Sequence, residues 1–205
     1  RVSKRKKSMQ SEKAQTRTRL LAKRLGFDET ARKSAERKIL LNVCECLKDK
    51  PSPGIVAGYA PIRGEVHALN ILTALYQQGY EIALPVVRQD CDSNLEFRVH
   101  HPDAELLEGY SGILEPLPER DAVTPDIVLV PLLGFDDQCH RIGYGAGHYD
   151  RTFSFFKKQN HKVIKIGLAF ELQKLAHVPT EPHDQLLDFV VTEAHVYQQL
   201  KGQIK

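Results

Sequence analysis

The sequence predicts an α/β domain built on a mainly parallel sheet covered by helices. Segments with helical 3.6-residue periodicity alternate with short apolar, strand-like runs, the pattern of repeated β–α units. One of those runs, residues 127–133, is apolar throughout, as a strand buried on both faces must be. A third observation sharpens this. A run of alternating glycines at 141–151 lies between that strand and an apolar-periodic helix, where an open α/β sheet places its ligand.

Each element has a local reason. Residues 10–25 read as a helix with Leu21 and Leu25 one turn apart. Asp28 or Thr30 suits the cap of a second helix, whose Ile39, Leu40, Val43 and Leu47 keep the helical period until Pro51-Ser-Pro-Gly54 ends it. Ile55–Tyr59 is a short strand. Val66, Leu69, Leu72 and Tyr76 mark the next helix, ended by Gly79, and Glu81–Leu84 is a strand closed by Pro85. Leu95–Val99 alternates like a half-buried strand. Residues 100–126, with four prolines and little periodicity, are expected to form an ordered surface loop. Tyr149, Phe153 and Phe156 share one helix face, Val163–Gly167 is the following strand, 172–186 a polar loop or short helix, and Leu187–Val191 a late strand.

Length and composition exclude several classes. At 205 residues one domain, over 10–205, is expected. No apolar run approaches the roughly 20 residues that span a bilayer. The formal charge of +3 comes from a basic tail: Arg1, Lys4, Arg5, Lys6 and Lys7 stand within seven residues, and the remainder carries −2. Residues 1–9 are therefore expected to be a disordered basic tail, and nucleic acid is not expected as a partner. Cys44, Cys46, Cys91 and Cys139 have no metal-binding spacing and read as free thiols in a reducing cytoplasm.

The chemistry concentrates in Arg141-Ile-Gly-Tyr-Gly-Ala-Gly-His-Tyr-Asp-Arg151. Glycines at every second position expose backbone N–H groups to a polyanion, and the helix that follows favours anions at its start. The run is neither a Walker loop nor a dinucleotide fingerprint, since it lacks Gly-Lys-Ser/Thr and the G-x-G-x-x-G spacing. Asp150 either complements the helix dipole or, beside a phosphate loop, holds Mg²⁺, which favours one or two carboxylates plus phosphate oxygens. Asp184, in Pro182-His-Asp184, is a turn residue or a second ligand for that ion. Lys13 and Arg17, one turn apart, form a solvated basic face or an anion-binding pair. Glu65, after Tyr59-Ala-Pro-Ile-Arg-Gly, is a helix-start acid or a ligand contact at a strand's carboxyl end.

Taken together, these motifs resemble the 5-formyltetrahydrofolate cyclo-ligase family. The resemblance rests on Pro131-Leu-Leu-Gly-Phe-Asp136 with the glycine run, on Lys13-x-x-x-Arg17, on Tyr59…Glu65-Val and Leu84-Pro85, and on Ile113-Leu-Glu-Pro116 and Pro182-His-Asp184…Asp188-Phe-Val-Val-Thr192-Glu. It implies a three-layer α/β/α sandwich and an ATP- and Mg²⁺-dependent closure of 5-formyltetrahydrofolate to 5,10-methenyltetrahydrofolate, with release of ADP and phosphate. It further implies that Lys13, Arg17, Arg141, Ile142, Gly143, Tyr144, Gly145, Ala146, Gly147, His148 and Tyr149 bind ATP. Ala60, Glu65 and residues Gly145, Ala146, Gly147, His148 and Tyr149 would meet the folate, and Asp150 and Asp184 the metal. Arg141, His148 and Tyr149 are the residues expected beside the reacting groups. The family carries two tyrosines before the Asp, and His148 replaces the first. A cytoplasmic monomer or weak dimer is expected.

Overall fold

The computed structural model describes residues 2–49, 54–88 and 94–199. In chain order they form α1 (Val2–Leu25), α2 (Glu29–Leu47), β1 (Ile55–Ala57), α3 (Ala68–Gln77), β2 (Glu81–Val86), β3 (Glu96–His100), β4 (Leu106–Glu108) and β5 (Leu114–Pro116). Then come β6 (Ala122–Val123), β7 (Ile127–Pro131), β8 (Gly134–Phe135), β9 (Arg141–Ile142), α4 (His148–Lys158), β10 (Ile164–Leu168), β11 (Phe189–Val191) and β12 (Val196–Gln198). Pro51–Pro53, expected to end α2, and Cys91 lie outside the described residues.

Eight strands make one sheet in the order β12-β11-β10-β7-β1-β2-β3-β6. From β11 to β2 the pairing is parallel, and β12 on one margin and β3 and β6 on the other pair antiparallel. The fully apolar run is indeed central. On β7, Ile127 and Leu129 pack into one core with Ile39, Val43, Ile71 and Leu75 of α2 and α3. Val128 and Val130 pack into the other with Phe153 and Phe156 of α4. The two-residue alternation of a strand thus serves two helical layers at once, and the three-layer α/β/α sandwich follows. Asp28 is the cap of α2, its side chain accepting from the Ala31 N–H at 2.9 Å. Among the described residues no helix is long and apolar enough to cross a membrane.

The chain runs from β1 to β2 on one side and returns to β7 on the other. The crevice outside the carboxyl ends of β1 and β7 is therefore the topological switch point, where such sheets bind ligands. α1 packs at this end of the sheet, with Leu20 against Leu133, Ile142 and Val178.

Several elements differ from the sequence expectation. α1 takes in residues 2–9, expected to be a disordered tail; the stretch contains neither Gly nor Pro and is rich in Lys and Arg, good helix formers. Its buried stripe runs through Leu20, whereas Leu25 is exposed. The buried face of α3 is Ala68, Ile71, Leu72 and Leu75; it keeps Leu72 of the expected stripe but sets Ala68 and Leu75 in place of Leu69 and Tyr76, because a mainly apolar helix offers more than one helical stripe. Residues 100–126 contain the β4–β5 hairpin, whose two strands pair with each other, and β6, which pairs with β3; each has only two or three residues, too short to show a period. β8–β9 and β12 carry only two or three residues each, too few for periodicity to register.

Gly167, in β10, faces one packed core: a Cβ there would lie 2.6 Å from Leu187 Cδ1 and 2.7 Å from Leu132 Cδ2, both on buried side chains. Gly167→Ala is expected to lower unfolding free energy by about 1–3 kcal/mol through overpacking, read from the denaturant midpoint at unchanged m-value.

Candidate active site

A cavity of about 830 Å³ opens at the switch point. Its wall holds Lys13 and Arg17 of α1, Tyr59, Ala60 and Glu65 after β1, Pro131 at the end of β7, all of residues 141–151, and Glu181, His183 and Asp184. The structure therefore brings together every residue singled out in the sequence, from segments up to 171 positions apart.

The glycine loop is shaped by its backbone. Gly145 at φ 108° and Gly147 at φ 72° occupy the left-handed region, which β-carbons disfavour. Gly147 is the residue from which α4 starts, so the loop feeds its N–H groups into a helix N-terminus. Arg17 lies along the loop, its Nε donating to the Gly143 carbonyl at 2.9 Å. Arg151 donates to the Ala146 carbonyl at 2.9 Å and to His148 Nδ1 at 3.1 Å. A guanidinium only donates, so Nδ1 accepts and the His148 proton sits on Nε2. Burial and the Arg151 charge hold the His148 pKa below its ordinary value, favouring the neutral ring.

The acids that the sequence assigned to a metal stand against the cations it assigned to phosphate. Arg141 Nη2 lies 2.9 Å from Asp150 Oδ1, which also accepts from the Gln185 N–H at 2.9 Å. Lys13, buried rather than part of a solvated basic face, places Nζ 3.0 Å from Asp184 Oδ2 and 3.1 Å from Glu181 Oε2. The Glu181 N–H donates to Asp184 at 2.8 Å. Glu181, His183 and Asp184 bring their ligand atoms within 4.8 Å of one another. Glu181 is new to the site; its only sequence trace is a second acid within Glu181-Pro-His-Asp184. The residues present fit Mg²⁺: Glu181 and Asp184 bring carboxylate oxygens together, Asp150 adds another on the same cavity wall, and such hard ligands are what this ion takes, few being needed when phosphate completes the shell.

The other half of the cavity is drier. Glu65 is buried, and its Oε2 accepts from the Ile62 N–H at 3.0 Å. Burial outweighs the hydrogen bonds from Ile62 and Tyr144 and the charges of Arg24 and Arg63, so the Glu65 carboxyl titrates above its ordinary value. Tyr149 in turn is pushed up by burial and by the Glu65 charge. It packs on Phe153 with ring centroids 6.0 Å apart. Arg24 is only 1% exposed, and it was missed in the sequence. Its Nε and Nη1 each donate at 3.1 Å, to the Arg63 and Leu132 carbonyls, and its Nη2 donates to the Tyr144 hydroxyl. Spacing carried the signal: Lys13, Arg17, Leu20 and Arg24 follow i, i+4, i+7, i+11, one stripe of α1.

A sequence profile of the 5-formyltetrahydrofolate cyclo-ligase family matches residues 9–193. The chain belongs to that family. It is similar to the 5-formyltetrahydrofolate cyclo-ligase of Haemophilus influenzae, at 30% identity over 86% of this chain and 96% of that protein. The Escherichia coli K12 protein of the same name is 32% identical over 70% of this chain and 80% of its own. Among solved structures, the NMR structure of Aquifex aeolicus 5,10-methenyltetrahydrofolate synthetase superposes with a TM-score of 0.75 at 30% identity, covering 94% of this chain and 95% of that one. The Mycoplasma pneumoniae synthetase gives a TM-score of 0.70 at 25% identity, over 88% and 98%. This cyclo-ligase family member is an enzyme of the ligase class.

The raised Glu65 pKa has a stability consequence. A carboxyl whose folded pKa exceeds its unfolded one contributes stability that is complete below the unfolded value and lost as pH rises through the folded one. Glu65→Gln keeps an acceptor and removes the charge. The melting temperature of this variant relative to wild type is expected to rise as pH increases above about 4, the unfolded carboxyl value; a pH-independent difference would contradict the assignment.

Proposed function

We propose that this enzyme closes 5-formyltetrahydrofolate to 5,10-methenyltetrahydrofolate at the expense of ATP, with Mg²⁺, by phosphorylating the formyl oxygen. The observation that carries the reading is the single cavity shared by a cation-flanked glycine loop and a drier, aromatic, acid-bearing half. Such a pocket suits a polyphosphate next to a planar heterocycle with N–H groups.

The chemistry needs activation because a formamide carbon is a poor electrophile and its oxygen a poor leaving group. The formyl oxygen takes the γ-phosphoryl group as ADP leaves, forming an O–P bond that makes the oxygen part of a good phosphate leaving group and the formyl carbon an iminium-like electrophile. The neighbouring nitrogen then attacks the formyl carbon, loses its proton, and the C–O bond breaks to release phosphate. No protein nucleophile is required. Lys13, Arg17 and Arg141, with the loop N–H groups of residues 143–149, hold the phosphates in line and spread their charge. When bound by Asp150, Asp184 and Glu181, Mg²⁺ supplies further charge neutralisation at the phosphates. Magnesium triphosphate carries both signs, so it meets acids and cations that the fold already holds as pairs. Glu65 accepts from the pterin N–H groups, the backbone near Ala60 lines that pocket, and Tyr149 packs beside it. His148 presents an Nε2 proton where the relatives' pattern has a phenol.

Incubation with 5-formyltetrahydrofolate is expected to raise near-ultraviolet absorbance only when ATP and Mg²⁺ are both present, with EDTA stopping the rise and added Mg²⁺ restoring it. Product formation without ATP, or none with it, would reject the reading. Asp150→Ala is expected to cut kcat by on the order of 10²-fold or more in a protein that still folds, with a lower melting temperature because Arg141 and the Gln185 N–H lose their partner. Near-normal turnover in that variant would remove Asp150 from the metal set.

A further inference from the structure

Tyr144 stands in the middle of the glycine run, yet its side chain is tied to the other half of the cavity. Its ring has two guanidinium neighbours, Arg24 Cζ at 5.7 Å and Arg63 Cζ at 5.8 Å from the centroid. Its hydroxyl accepts from Arg24 Nη2, and it lines the same cavity wall as Glu65, close enough to hold the Glu65 carboxyl down against the upward push of burial. A phenol has one proton, and a guanidinium has no lone pair to offer it. With Arg24 donating, the Tyr144 proton has one direction to take, toward the Glu65 carboxylate. Arg24 itself does not move freely: it is buried, and its remaining bonds go to the Leu132 carbonyl past β7 and the Arg63 carbonyl before α3. The order Arg24, Tyr144, Glu65 thus runs from a fixed charge through a loop residue to a ligand-facing acid.

We propose that Tyr144 is a positioning residue whose hydroxyl, oriented by the buried Arg24, aims Glu65 at the folate and ties the nucleotide loop to the folate half of the cavity. The proposal rests on the cyclo-ligase reading above and extends it to how the two substrates sense each other. The loop that closes on ATP carries the tyrosine that holds the folate acid, so ordering either partner orders the other, and the coupling is reciprocal. Burial and the Glu65 charge push the Tyr144 hydroxyl up to about 12, which keeps its proton in place for this role.

The test is Tyr144→Phe, which keeps the ring against both guanidinium groups and removes only the hydroxyl. The KM for 5-formyltetrahydrofolate is expected to rise about tenfold, the size of one hydrogen bond to a charged group. The KM for ATP is expected to stay within about twofold, because the loop meets phosphate through its backbone. Loss of the donor also moves the acid limb of kcat/KM for folate to higher pH. The groups facing Glu65 in that titration are Arg24 from α1, Tyr59 and Arg63 from the β1–α3 segment, Tyr144 from the loop and Tyr149 from α4. Because Tyr144 acts through Glu65, the double variant Tyr144→Phe/Glu65→Gln is expected to match Glu65→Gln alone in folate KM. Equal rises in both KM values, or single effects that multiply in the double variant, would overturn the proposal. So would an active wild type whose Tyr144→Phe variant keeps its folate KM. A wild type that forms no product at all would reject the cyclo-ligase reading instead, and this inference with it.

Discussion

A guanidinium with 1% of its surface in contact with solvent must find its partners inside the protein, because an uncompensated buried charge costs several kcal/mol. Arg24 finds them on three separate stretches of chain: the carbonyl of Leu132 past the central strand, the carbonyl of Arg63 on the segment after β1, and the hydroxyl of Tyr144 in the glycine loop. Those bonds hold the end of α1 at the carboxyl edge of the sheet. One and two turns back along the same stripe, Leu20 packs under the β8–β9 hairpin and Arg17 reaches the Gly143 carbonyl. Lys13, a further turn away, meets Asp184 and Glu181. A single helix face thus delivers Lys13, Arg17 and Arg24 to the site, and the helix is held in place by a charge that has nowhere else to go.

The electrostatics of the cavity divide along the same line. On the loop side, charges are numerous and paired across segments, Arg141 with Asp150 and Lys13 with Asp184 and Glu181. Pairing keeps a crowded set of acids and cations compatible with a folded protein, and it presents both signs to a ligand that carries both. On the Glu65 side, desolvation dominates: the carboxyl titrates high, and Tyr59, Tyr144 and Tyr149 are all pushed up, with burial the leading cause in each. A low-dielectric pocket strengthens each hydrogen bond made within it and makes each unmade one costly. In the proposed reading, that cost favours a substrate with matching N–H donors.

His148 illustrates how a local departure is absorbed. At the first position of α4 a phenol would offer a hydroxyl on a long, rigid ring. The imidazole offers instead a proton on Nε2, set there because Arg151 occupies Nδ1. The same Arg151 also donates to the Ala146 carbonyl of the loop, so the residue that selects the tautomer also braces the turn.

Much of this was legible in the linear chain, for reasons that are local. A parallel strand buried on both faces has to be apolar at every position, so residues 127–130 announce themselves. Glycines at φ 72° and 108° cannot be replaced cheaply, so the loop is visible as Gly-x-Gly-x-Gly. Motif resemblance then named Lys13, Arg17, Glu65, Asp150 and Asp184 without saying what each would touch. What the chain could not show was partnership. Whether Lys13 is a solvated charge or a buried one depends on Asp184 and Glu181, at least 168 residues away. Arg24 looks like any basic residue on a basic helix until the strand ends close over it. The β4–β5 and β8–β9 hairpins are too short to be periodic and exist because neighbouring backbone satisfies them. Sequence alone determined the backbone requirements and the residue types of the site; tertiary structure decided which charges meet. Hydrophobic period and glycine geometry are properties of consecutive residues, whereas ion pairing and desolvation are properties of what folding brings near.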